Sequence, residues 1–316
     1  MTAVISLPAS LDEHTFEQVF ADLAAIPAGS KVLVDGRKVR WASPFGLTAL
    51  LCLPQSRPDD TMTFALPELH DTLSYWQRAG FVHHAASVYE LLGEVPRQRA
   101  EHERNVLLEV TPITESDDVH AVVGRIQQKA ADILHGQLHL DAAVTGAFGM
   151  TLSEACQNIV EHAGTGGWVA VQTYNYAKTL GRRVVQIAVC DAGVGFRRSL
   201  ESTPAHRRSD RWGDATALED AVVRAHSRFR HGDAGRGQGL AGIRRFIGRW
   251  NGKMSVRSGT ARIVIAQGWD DDAPMTEGLA AFPGAQMQIL IPERLESEVP
   301  ARPRGAAASA RGRGTR

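Results

Sequence analysis

Long hydrophobic runs are missing from this chain. No stretch of about 18 uncharged apolar residues occurs, so no membrane-spanning helix is expected. Near Met1 no basic stretch is followed by an apolar run, so no signal peptide is expected either. Cysteine is scarce. Cys52, Cys156 and Cys190 are the only three, widely spaced in apolar surroundings with no CxxC pair, which excludes a disulfide framework or a zinc site and predicts buried free thiols. An excess of one charge is also lacking. Thirty-five Lys and Arg stand against 35 Asp and Glu, so no overall basic field argues for direct nucleic-acid binding. These absences together fit a cytoplasmic protein. What is present, 43% hydrophobic and 22% charged residues over 316 positions, suits a globular chain long enough for two domains.

Along the chain, residues 1–95 read as alternating strands and helices. Lys31–Asp35 (KVLVD) is a strand, and Pro44–Leu53 (PFGLTALLCL) a helix with proline at its first turn, where the missing N–H costs nothing. Thr61–Leu66 is a second strand, and His70–Ala79 a helix stopped by Gly80. The charged, apolar-poor stretch 96–105 is read as a linker. A second domain follows over 106–292, then an Arg-, Ala- and Gly-rich tail, 293–316, expected to be disordered. Ser116–His135 reads as helical. In Asp141–Ala163, apolar or small residues recur at Val144, Ala147, Phe148, Thr151, Leu152, Ala155, Cys156, Ile159, Val160 and Ala163. That ladder is one buried helical face, with Gly164 as its C′ residue. Strands are expected at Trp168–Tyr174, Arg183–Cys190, Lys253–Ser258, Ala261–Gln267 and Gln286–Ile291, and a helix over Leu240–Trp250.

Three constellations carry chemistry. Glu154, Asn158 and His162 recur every four residues, a step that drifts only about 40° around a helix, so they form a polar stripe beside the apolar face. A carboxylate and an amide one turn apart can hold a water and a divalent cation. Next, Asp191-Ala192-Gly193-Val194-Gly195 follows a strand. There an Asp can accept from an exocyclic amine, and Gly193 and Gly195 let the chain turn and a ligand come close. Last, Gly235-Arg236-Gly237-Gln238-Gly239-Leu240 opens a helix, an arrangement whose backbone N–H groups suit an anion. Taken singly, each has a bland reading as a solvated helix face, a turn or a loop.

In this order and spacing the three resemble the signature boxes of the GHKL (Bergerat-fold) ATP-binding domains: E-x-x-x-N-x-x-x-H, D-x-G-x-G and G-x-G-x-G-L. The run Gly242–Gly259 is similar to the helix, turn and strand that follow the last box. The resemblance implies an α/β sandwich with a mixed sheet, with ATP and Mg²⁺ as cofactors. It implies Glu154 as the catalytic carboxylate and Asn158 as the metal ligand. It implies Asp191 as the adenine-binding acid, Gly193 and Gly195 as the pocket floor, and Gly235, Arg236, Gly237, Gly239 and Leu240 as the phosphate-covering lid. His162 holds a position near the phosphates. The E-A-x-x-N-x-x-x-H form is most similar to the anti-sigma-factor and serine-kinase branch. One departure stands out: where the family ends in Gly-Thr, this chain reads Gly284-Ala285-Gln286, and Ala285 has no hydroxyl.

The segment 1–95 resembles a STAS domain, on KVLVDGRKVRWASPFGLTALLCL followed by YWQRAGF. Such antagonists carry a phosphorylatable Ser where this chain has Phe45. The whole is therefore expected to be an α/β (α+β) regulatory protein. Its expected partner is a protein such as a STAS antagonist or sigma factor, with homodimerisation left open. Protein kinase or ATPase activity and a non-catalytic, ATP-dependent binding switch both remain readings, whereas a motor is disfavoured because no transducer domain follows Pro292. The Arg-rich stretch Phe196–Ala234 is expected to be a mobile lid that nucleotide orders.

Overall fold

The computed structural model describes residues 2–94, 106–130, 142–176, 180–201, 212–224 and 239–293. The expected linker 96–105, residues 294–316 of the expected tail, and Gly235, Arg236 and Gly237 lie outside them, as do residues 202–211 and 225–234 of the expected lid.

The protein is a mixed α/β fold. Strands β1 (Thr2–Ser6), β3 (Lys31–Asp35), β5 (Thr61–Ala65) and β6 (Glu90–Leu92) form a parallel sheet in the order β1-β3-β5-β6. The short strands β2 (Ser10–Leu11) and β4 (Trp41–Ala42) pair beside it. Helices α1 (Phe16–Ala25), α2 (Pro44–Ser56), α3 (His70–Arg78) and α4 (Phe81–Val88) connect these strands. Gly80, at φ 79°, separates α3 from α4 where the sequence places a helix stop. Ser43 caps α2, its Oγ accepting from the Gly46 N–H at 3.1 Å.

The second sheet runs β10-β11-β9-β8-β7, from β7 (Val106–Ile113), β8 (Gly167–Tyr176), β9 (Arg182–Asp191), β10 (Lys253–Ile265) and β11 (Met275–Pro292). A mixed sheet is expected there, but every described pairing in it is antiparallel. The two strands expected at Lys253–Ser258 and Ala261–Gln267 are one. β10 passes through register shifts around Gly259, which holds φ 63°, so the break in pattern is an irregularity rather than an end.

Helices α5 (Ser116–Ala130), α6 (Ala142–Asn158), α8 (Asp214–Val222) and α9 (Gly239–Arg249) contribute to one apolar core with the front of this sheet. The alternation of β9 sends Val185, Ile187 and Val189 into that core. Its other residues, Ala188 and Cys190, point to the rear, where α1 and α2 lie against the sheet. A second apolar cluster therefore joins Val32, Val34 and Phe64 of the parallel sheet to Trp168, Ala170, Ala188 and Cys190 of the antiparallel one, with α2 inside it. All ten residues Pro44–Leu53 are buried, as a helix apolar on every side requires. Rear polar residues are covered too. Tyr75 of α3 bonds to Gln172 and, at 2.8 Å, to Tyr174. Lys253 lies 3.0 Å from Glu13, 2.8 Å from Asp270 and 2.5 Å from Asp272.

Two described parts of the expected lid bury apolar side chains. Helix α7 (Gly195–Glu201) buries Leu200, and α8 buries Ala217, Leu218, Ala221 and Val222. Asp214 at the start of α8 accepts from the Thr260 N–H and hydroxyl, each at 2.9 Å, so that helix is fastened to β10. The arginine count of the stretch hid four small or aliphatic residues at helical spacing.

Candidate functional site

The long polar-striped helix forms α6 as expected over its body but changes pitch at the end. Residues Ile159–Ala163 make a π-helical turn, and Gly164, at φ 70°, closes it as the left-handed C′ residue. Extra residues per turn rotate the end of the helix, and π turns of this kind recur at binding sites.

Opposite this turn β9 ends at Asp191. The Ala163 carbonyl accepts from the Val194 N–H at 2.9 Å, tying the π turn to the loop after Asp191. Gly193 is required by that contact, because a Cβ there would lie 2.1 Å from the Ala163 oxygen. Gly195 is required twice over: it holds φ 72°, and a Cβ would lie 2.7 Å from Ser258 Oγ. Ser258 Oγ accepts from the Phe196 N–H at 3.1 Å and donates to the Gly284 carbonyl at 2.7 Å, so the β10–β11 pair closes the third side.

These elements enclose a narrow cleft, partly open to solvent, with a cavity volume of about 30 Å³. Asn158, His162, Asp191 and Gly195 line it, four of the residues singled out in the sequence. Its walls are Ala155, Ile159, Ala163, Val189, Phe196, Ala285 and Met287, with Ser199 at one side. Sequence reasoning assigned none of these wall residues a site role, because on α6 and β9 they are indistinguishable from core. Ala285 was marked only for its missing hydroxyl.

Asp191 is the polar group at the base. It is 6% exposed, and burial pushes its carboxyl up to about 6, against hydrogen bonds from the Gly193 and Ala285 N–H groups that hold it down. The Gly193 bond is 2.8 Å. Asn158 Nδ2 is buried with no hydrogen-bond partner among the described residues, so an anionic oxygen in the cleft would satisfy it. His162 Nδ1 and Ser199 Oγ stand 3.1 Å apart, joining the π turn to α7. The slot thus offers a buried carboxylate acceptor at its base and an unmet amide donor beside it.

No family model matches the chain, and no curated protein matches it.

The remaining sequence candidates lie around this cleft or apart from it. Glu154 is half-buried on α6, one turn before Asn158, and is not among the lining residues. Gly239 begins α9, and Leu240 is buried in the front core rather than exposed to a ligand. Two residues the sequence did not mark as chemical hold Asp191 in place. Gly284, at φ 78°, passes so close that a Cβ would fall 2.2 Å from the Asp191 carbonyl oxygen, and Gln286 bonds to that same oxygen at 2.9 Å. The three thiols are buried and free, as expected, with burial pushing Cys156 and Cys190 up to about 12.

Proposed function

We propose that this protein is a cytoplasmic, ATP-binding regulator of the GHKL type, acting on a protein partner as a serine/threonine kinase or ATPase. The observation that carries the reading is the single cleft in which Asn158, His162, Asp191 and Gly195 meet. These residues come from two boxes separated in sequence, and their meeting around one buried carboxylate supports the reading. In this reading Asp191 accepts from the exocyclic amine of adenine. Asn158 and His162 face the phosphates and their Mg²⁺, and Glu154 orients the attacking hydroxyl or water. The glycine box that ends in Gly239-Leu240 leads into α9 and supplies backbone donors to the phosphates. The parallel sheet with α2 is read as the STAS-like part, and the antiparallel sheet with α5, α6, α8 and α9 as the ATP-binding part.

Calorimetry with ATP, GTP and Mg²⁺ tests this. Wild-type protein binds ATP in preference to GTP, and Asp191→Ala weakens binding by roughly 5- to 150-fold, the cost of an unmet buried hydrogen bond. Equal affinity for the two nucleotides, or none for either, refutes it. A second reading, a switch that binds ATP without using it, rests on Glu154 standing outside the cleft lining.

A further inference from the structure

Three features hold Asp191 in place, and all come from one short stretch of β11. Gly284 lies against the Asp191 carbonyl and Oδ1, the Ala285 N–H favours the carboxylate anion, and Gln286 reaches back to the Asp191 carbonyl oxygen. Gln286 is 1% exposed. Its Nε2 donates to two carbonyls, Asp191 and Pro283, both at 2.9 Å. Two acceptors leave no ambiguity about which end of the amide faces them. Its Oε1 is buried without a partner among the described residues.

Such a residue is a poor choice for stability alone. Each donor bond contributes modestly, while the orphaned oxygen costs a comparable amount. A methionine of the same length would give up the first and recover the second. Gln286 also sits on the rear face of the sheet, in register with Cys190, so it cannot touch a ligand in the front cleft. What it does is fasten the turn at Pro283 to the end of β9, and so set where the Ala285 N–H meets the carboxylate.

We infer that Gln286 is a positioning residue for the nucleotide site, holding the Asp191 carboxylate at the depth and angle that base recognition needs. The inference rests on the nucleotide reading for its ligand, but not for its geometry. Asp191 and Gln286 belong to adjacent strands whose sequence separation is 95, so without a side-chain staple their relative height depends only on the ladder. Position matters here because a hydrogen bond weakens steeply with angle. Gln288, two residues on, is the internal comparison. It faces the same side, is also buried and accepts from Gln186, and it has no hydrogen bond to Asp191.

The test compares Gln286→Met and Gln288→Met in the full chain, with two readouts. The first is ATP affinity by calorimetry. Gln286→Met weakens it by roughly 10-fold, as the loss of aligned hydrogen bonds implies, while Gln288→Met leaves it within about 2-fold. The second needs no nucleotide: the titration midpoint of the Asp191 carboxyl, followed by carbon-detected NMR. The groups near it are the Cys190 and Cys52 thiols behind and His162 across the cleft, none of which is changed. Loosening the Ala285 N–H removes a bond to the anion, so the midpoint rises in Gln286→Met and stays put in Gln288→Met. Thermal melting of both variants confirms folding, and Gln286→Ala repeats both readouts if methionine disrupts the sheet. An unchanged midpoint together with unchanged affinity in the Gln286 variants overturns the inference. Wild-type protein that binds no ATP overturns the nucleotide reading instead, and the midpoint then decides the role of Gln286 alone.

Discussion

Arg257 of β10 donates through Nε to both carboxylate oxygens of Glu17 on α1, each at 3.1 Å, across 240 residues of sequence. Its guanidinium carbon also lies 4.4 Å from the centre of the Phe20 ring, and its remaining nitrogens bond the Gly259 and Ala280 carbonyls. A guanidinium 1% exposed with each of its three nitrogens bonded is a clamp between the N-terminal helix and the rear of the antiparallel sheet.

Removing one partner strands the other. Glu17→Ala should therefore destabilise the protein by about 3 kcal/mol in urea unfolding, because among the described residues no other carboxylate forms an ion pair with the buried cation. Arg257→Met should cost less, since Glu17 keeps some solvent and the nearby Arg262, 3.9 Å away. A Glu17→Ala loss below about 1 kcal/mol would mean that Arg257 is hydrated in solution.

The sequence and the structure agree best where local pattern decides. The α6 ladder, the Gly164 stop and the Pro44 helix start are all local rules, and each stands where expected. What could not be read was what lies across from each element. PFGLTALLCL was legible as a helix, yet its lack of any polar face also demanded cover on every side, and that second signal went unused. Gly259 broke the β10 pattern into two apparent strands. The site residues came from motif spacing, while Gln286 and the apolar walls are defined only by strand register, which spacing along one chain does not contain.

Asp191 makes stability depend on pH in an unusual direction. Its folded carboxyl titrates at about 6, above the ordinary 3.8, so folding favours the protonated form. The contribution is fully present below pH 3.8 and is lost as pH rises through about 6, a difference of roughly 3 kcal/mol at most. Asp191→Asn should accordingly stabilise the nucleotide-free protein at pH 8, and the gap should close near pH 4. ATP affinity of the wild type should fall below pH 6, where the carboxyl becomes protonated. Melting curves at several pH values check the first, and calorimetry the second. A gap that does not vary with pH contradicts the burial of this carboxylate.

Glu154→Gln separates the two readings of function. The amide keeps size and hydrogen bonding but cannot take a proton, so nucleotide binding should persist while hydrolysis or phosphotransfer stops. A labelled-ATP assay with and without candidate partners measures it. Turnover that survives in the variant refutes the catalytic role of Glu154, and an absence of turnover in the wild type moves the weight to the binding switch.

Gly193, two residues after Asp191, and Gly164, at the end of the π turn, should differ sharply. Gly193→Ala places a methyl 2.1 Å from a carbonyl oxygen of the π turn and should cost at least about 2 kcal/mol, with loss of nucleotide binding. Gly164→Ala has its nearest neighbour at 3.9 Å and only the strain of φ 70°, about 1 kcal/mol. Urea unfolding of both variants ranks them, and equal costs would show that the loop after Asp191 gives way.

Ser43 should remain unphosphorylated after incubation with ATP. It is fully buried, its Oγ caps α2, and Phe45 occupies the neighbouring first-turn position at 3% exposure. Intact-mass and peptide mass spectrometry settle it, and a stoichiometric phosphate on Ser43 refutes the expectation.

The enclosure of α2 has one more consequence. A helix shared by two sheets belongs to neither, so its melting exposes Trp168, Ala170, Ala188 and Cys190 on one side and Val32, Val34 and Phe64 on the other in the same event. Denaturation of the described halves is thereby made cooperative: neither can lose its order while the other keeps a dry interior. A chain cut after Leu92 would leave an apolar sheet face bare, a surface that associates with itself before it reports anything about nucleotide.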